Sequence, residues 1–221
     1  MTFPEKSASS GKFLYSGHFL KRKKPLATWC GALFVSSFLL ASLPLFSVRA
    51  APPSPPPKDD TRKKALQAVE KQLAAAKNEE DVQKLWEKAE TLRSASLNGA
   101  TRLLLKAAEE KEETGDIPSM ESLLSTALSL QPDNPLLRRL RASVRLKGND
   151  PTGAVQDLGI SLQDDPDDPT SWLLLAQTQE NLHQPLKALN AFREVLNRVP
   201  ALPEKDTLLK HFEQGAFGQD D

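Results

Sequence analysis

The side chains that could do chemistry in this chain are few and scattered. His183 and His211 have no cysteine or histidine partner at ligand spacing, so neither completes a metal site or an acid–base pair. Asp164-Asp165-Pro166-Asp167-Asp168 gathers four carboxylates. It lacks the alternating ligands and central glycine of a calcium loop, and Asp168 reads instead as the cap of a helix opening at Pro169. No glycine-rich phosphate loop follows a strand, because no segment has a convincing strand pattern. We therefore expect no catalytic residue, no metal and no cofactor. The chain reads as a binding protein and not as an enzyme.

Two charged runs bear on binding. Arg138, Arg139, Arg141, Arg145 and Lys147 crowd one helix, and Glu109, Glu110, Glu112 and Glu113 crowd the one before it. The basic run could dock an acidic peptide or lipid headgroups. Pairing between the two helices is the simpler expectation, because an exposed charge run is usually a solvated face. Arg138 and Arg141 fall at positions that should be apolar, so their stems should follow the apolar surface while their charged ends reach Asp157 or solvent.

The elements that carry these residues are set by a repeat. From Pro169 to Pro200, Trp172, Leu175, Ala176 and Gln179 share one helical face, and Ala188, Leu189, Phe192, Val195 and Leu196 form another after Pro185. The pattern recurs upstream at intervals of 34 residues: Pro132, Pro166 and Pro200; Ala108, Ala142 and Ala176; Leu124, Leu158 and Phe192. Three units follow, 101–134, 135–168 and 169–202. Asn134 and Asp150 should cap helices that begin at Pro135 and Pro151.

These positions resemble the tetratricopeptide repeat (TPR) in period and in its Trp, Leu, small, Ala, Phe and Pro sites, with Gln179 departing from the family's Tyr. The resemblance implies an all-α, TPR-like α-solenoid, a stack of helix-turn-helix units. Residues 61–97 read as a divergent helical hairpin covering the open end of the stack, 203–214 as a capping helix ended by Gly215, and 215–221 as a disordered tail. By analogy with the family, a concave face would be lined by Arg102, Leu105 and Glu109, then Leu136, Arg139, Ser143 and Lys147, then Thr170, Leu173, Gln177 and Asn181. Glu109 and Ser143 stand where a TPR that clamps a C-terminal carboxylate would place Asn. A protein or peptide segment docking through apolar and charged contacts is the expected ligand.

The start of the chain reads as a leader. Lys21 to Lys24 are all basic, residues 26–48 carry no charge, and Val48-Arg49-Ala50 offers a cleavage site. Residues 1–50 are thus expected to be a signal peptide, with an uncleaved anchor as the alternative, and 51–60 a proline-rich linker. The first fifty residues hold seven of the 29 Lys/Arg and one of the 29 Asp/Glu, which leaves 22 basic and 28 acidic residues, a net charge of −6. Nucleic acid is an unexpected partner for such a chain. The only cysteine leaves with the leader, so stability in an oxidising compartment must come from packing. The whole resembles exported TPR proteins of Gram-negative bacteria. That implies a periplasmic or secreted interaction module, membrane-bound only if the leader stays. An accessory ligand-binding subunit or an enzyme is the alternative, with no residues to support it.

Overall fold

The computed structural model describes residues 59–218. The expected leader and residues 51–58 of the expected linker lie outside that range, as do 219–221 of the tail. Among the described residues there are nine α-helices and no strand. They are α1 Asp59–Ala75, α2 Glu79–Ser94, α3 Gly99–Glu112, α4 Ile117–Leu130, α5 Pro135–Lys147, α6 Pro151–Asp164, α7 Pro169–Asn181, α8 Pro185–Arg198 and α9 Lys205–Phe217. From α3 onward each helix packs on the next, so the helices form one continuous stack closed by α9.

The 34-residue interval of the sequence appears in the structure as recurring local solutions. Ala108, Ala142 and Ala176 are buried, where only a small side chain lets two helices approach, and Leu124, Leu158 and Phe192 fill the matching core site on the second helix. Asn134, Asp150 and Asp168 cap α5, α6 and α7, accepting from the free N–H groups of Leu137, Gly153 and Thr170. Between the two helices of each unit one residue takes a left-handed conformation, and these residues, Gly115, Asn149 and His183, are again 34 apart. Turn geometry is what His183 supplies.

The middle unit keeps this frame with altered chemistry. Trp172 donates its indole N–H to the carbonyl of Pro166 at 2.8 Å, and one period earlier Arg138 donates to the carbonyl of Pro132 at 3.0 Å. The Arg replaces the Trp as a donor as well as a space-filler. Arg141 stands one period before Leu175, and Asp157 one before Ala191. The Arg141 guanidinium grips the Asp157 carboxylate through two bonds of 2.8 and 2.7 Å, so two apolar positions of the last repeat are held by an ion pair in the middle one. Arg145 joins Asp157 at 2.9 Å, and Arg138 approaches it at 3.8 Å. The basic helix is therefore held chiefly by one buried aspartate of α6. The Lys147–Glu112 pair realises the expected pairing with α3.

The ends of the fold depart from expectation. The linker's last two residues, Asp59 and Asp60, open α1, where carboxylates favour the positive end of the helix dipole. The last helix passes through Gly215 and runs to Phe217, because Ala216 packs on the core and Gly218, at φ 90°, makes the stop. The larger correction concerns the α1–α2 hairpin. It does not cover the open end beside α3; α1 lies on α8, and Leu73 and Val82 share a core with Ala188, Leu189, Phe192, Val195 and Phe212 of the last repeat and the capping helix. Its apolar stripe is drawn to the larger apolar surface that α7, α8 and α9 present.

Asp157 is 2% exposed and anchors the guanidinium groups of Arg141 and Arg145. Asp157→Ala leaves those charges half-buried without their partner, and we expect it to cost about 3–5 kcal/mol in chemical unfolding. A cost below about 1 kcal/mol would show that solvent replaces the carboxylate.

Candidate functional site: a groove held by the chain's own hairpin

Along α2, Val82, Trp86, Glu90 and Arg93 follow one another at three- or four-residue steps and so share one face. That face is turned onto the repeats. Val82, 2% exposed, belongs to the apolar cluster that includes Leu173, and Trp86 packs on the edge of that cluster. The Trp86 indole N–H donates to the Thr170 hydroxyl at 3.1 Å. The Glu90 carboxylate binds the guanidinium of Arg139 and accepts from the Thr170 hydroxyl at 3.3 Å.

Arg93 closes the arrangement. Its side chain is 3% exposed and donates to Asp165 at 2.7 Å and to Glu70 of α1 at 2.6 Å, with Asp168 at 3.7 Å and Glu90 at 3.5 Å. Asp168 in turn holds Arg139 at 2.6 Å, accepts from the Ser171 hydroxyl at 2.6 Å and caps α7. Two guanidinium groups thus sit among four carboxylates supplied by α1, α2 and the 164–168 loop. Of the acidic run 164–168, Asp165 and Asp168 are turned toward Arg93, while Asp167 lies 3.5 Å from Arg198.

Electrostatics at this junction follow from burial and charge. Burial alone would push Asp168 up, yet Arg139 and Arg93 outweigh it and hold the carboxyl below its ordinary range. For Arg93, burial opposes the charge, but Asp168 and Asp165 keep the guanidinium more firmly protonated than usual. Asp165 is raised by burial, against the pull of Arg93. Glu70 is pushed up to about 7, first by burial and then by Asp165, Asp167 and Asp168, with only Arg93 opposing. A cleft of about 730 Å³ between α1 and the 131–135 and 164–167 loops borders Glu70 and Arg93.

The residues expected to line a groove now divide. Leu136, Arg139 and Ser143 are buried, at 6%, 3% and 7% exposure, and are not an open binding surface in this conformation. Leu136 packs in a cluster with Leu97 of the α2–α3 link, and Arg139 is committed to Glu90 and Asp168. Thr170, Leu173 and Gln177 are partly covered; Thr170 meets α2, and Leu173 borders the apolar cluster that contains Val82. Arg102 and Glu109 on α3 are exposed and Leu105 is half-buried. Lys147 and Asn181 are exposed, the former paired with Glu112 and the latter donating to the Gln177 carbonyl at 2.9 Å. Sequence reading missed Glu70, Trp86, Glu90, Arg93 and Asp165. Glu90 and Arg93, placed on the same face of α2 as Val82 and Trp86, were the available signal.

The sequence matches no protein-family model and no curated protein. Solved structures do match. The first TPR domain of Spaghetti (RPAP3), bound to the HSP90 peptide SRMEEVD, aligns at a TM-score of 0.50 and 16% identity over 54% of this chain and 96% of its own. The fold is an all-α TPR solenoid. The first TPR domain of human RPAP3 aligns equally, at a TM-score of 0.50 and 16% identity over 53% of this chain and 92% of its own. A MamA double mutant reaches 0.49 at 15% identity, over 71% and 86%. At such identities the likeness concerns the TPR fold alone.

The junction has a pH consequence. Glu70 carries a pKa near 7 when the hairpin is docked and near 4.5 when it is free, so between those values the docked form holds a proton the released form lacks. Docking is therefore strongest below about pH 4.5 and weakens as pH rises toward 7. Asp165 shifts in the same direction, while the window of Asp168 lies below its ordinary value of 3.8. In a Trp172→Phe chain lacking its first fifty residues, acrylamide quenching of Trp86 should increase from pH 5 to pH 8, and Glu70→Gln should flatten the rise. Quenching that falls over this range would contradict the assignment.

Proposed function

We propose that this chain is an exported protein-interaction module that holds a segment of a partner protein against the inner face of its repeats, in the service of envelope assembly or maturation. The observation that carries the reading is the chemistry of that face. Around α5 and α7 it offers an apolar wall, a hydroxyl, a guanidinium and two carboxylates, and it already engages an amphipathic hairpin. The Spaghetti TPR domain, with its bound HSP90 peptide, is a precedent for this fold taking a polypeptide ligand.

The α3 stretch is the entry surface in this reading. Arg102 and Glu109 are exposed, Leu105 is half-buried, and Glu112 and Glu113 add negative charge. A segment with apolar and basic side chains suits it. Glu109 and Ser143 in place of a carboxylate-clamping Asn pair favour an internal segment over a chain end. The basic stretch and apolar run before residue 50 support export, with cleavage after Ala50.

A photo-crosslinking amino acid at Leu105 should trap one discrete partner in cells of the source organism, and Glu109→Lys should reduce the adduct several-fold. The same group at Gln156, exposed on α6, should trap none. Equal labelling from both positions, or none from Leu105, would remove the inner face from consideration. Mass spectrometry of the native protein should find Ala51 at its start. A membrane fraction retaining residues 1–50 would make it an anchored protein.

A further inference from the structure

We propose that the α7 face covered by α2 is a receptor for a helix of the partner protein, one that carries an apolar residue, an aromatic four residues on, an acid after four more and an arginine after three more, and that displaces the hairpin. The proposal rests on the interaction-module reading above and names its ligand.

The receptor half of each contact belongs to the repeats. Val82 enters the apolar cluster that Leu173 borders, and the Thr170 hydroxyl takes the Trp86 indole N–H. Arg139 takes the Glu90 carboxylate, and Asp165 and Asp168 take the Arg93 guanidinium. Val82 and Arg93 are eleven residues apart, which spans roughly 16 Å along a helix at 1.5 Å per residue. Four chemically different subsites spread over that length suit a helix and no small molecule. Arg139 and Asp168 are themselves joined at 2.6 Å, so the acid and the arginine of the docked helix must be presented together, one turn apart.

The resident hairpin is a handicapped occupant. With α2 comes Glu70 of α1, a partly covered fourth carboxyl that meets Arg93 at 2.6 Å but whose burial and acidic neighbours Asp165 and Asp168 outweigh that contact. A partner helix with the α2 pattern and no such acid makes the same four contacts without that repulsion. The hairpin's one covalent link to the repeats is the 95–98 segment, and the packing of α3 through α9 on one another does not pass through it.

The test uses the mature chain, residues 51–221, and a labelled peptide of residues 78–97 as the probe. The peptide should bind a Trp86→Ala, Arg93→Ala double variant, whose own hairpin is loosened, at least tenfold more tightly than the wild-type chain. Arg93→Ala in the peptide, or Asp165→Asn added to the double variant, should each weaken that binding at least tenfold. Equal affinity for wild type and double variant would overturn the proposal. So would absent binding to a double variant whose α5–α8 amides keep wild-type exchange protection. A wild-type chain that forms dimers by exchanging hairpins would make a second copy the occupant and likewise overturn it. Should the double variant fail to fold, hydrogen exchange on the wild-type chain decides: α1 and α2 must exchange together and ahead of α7 and α8, and matching rates would sink the idea. Crosslinking at Leu105 probes α3 and is independent of these outcomes, so loss of the receptor and loss of the interaction reading can be told apart.

Discussion

The arrangement of this molecule depends on the burial of one guanidinium. Arg93 lies almost wholly out of water, and a charge so placed is tolerable only when carboxylates surround it. Those carboxylates come from three places: Glu70 on α1, Glu90 on α2 itself, and Asp165 and Asp168 beyond the end of α6. Satisfying Arg93 therefore fixes α1 to α2 and α2 to the loop before α7. Through Asp168 the constraint passes to Arg139 and hence to α5. Leu73, Val82 and Trp86 add apolar contacts to the core of the last repeat, and the charged partners of Arg93 set register and direction.

A second use of charge operates within the stack. At the positions that Leu175 and Ala191 hold in the apolar core of the last repeat, the middle repeat pairs Arg141 with Asp157, and the helices still pack as neighbours. The change is tolerated because both members of the contact change together. A lone arginine there would be a buried, unpaired charge, whereas the pair contributes a bidentate bond and fills similar space. The same helix keeps its carbonyl-to-side-chain link by exchanging a tryptophan N–H for an arginine N–H. Its basic appearance reflects internal structure more than an exposed docking stripe.

Much of the stack was legible because its signals are local. Periodic Ala and Pro positions, caps such as Asn134 and Asp168, and apolar faces at helical spacing are all written within a few residues, and the 34-residue interval multiplies their weight. Asp157 as the partner of Arg141 could be named on the same grounds, since both lie in one helical pair. The hairpin's destination was not legible. Nothing near Trp86 or Arg93 points 70 to 85 residues along the chain to Asp165 and Thr170, and a capping role beside α3 was the reading that proximity in sequence favours. The surroundings of the expected inner-face positions are hidden for the same reason: Glu90 and Asp168, which hold Arg139, belong to other parts of the chain. Asp165, read as one acid in a run, has its meaning only from Arg93.

Whether α2 lies on α7 or beside α3 is the point on which the covered groove, the pH response and the receptor all turn. Nuclear Overhauser spectroscopy on the mature chain tests it directly. The account predicts a strong cross-peak between the Trp86 indole N–H and the Thr170 methyl group, as their 3.1 Å side-chain hydrogen bond requires. Cross-peaks from the Trp86 indole to the methyl groups of Leu104 or Leu105 on α3, with none to Thr170, would contradict it.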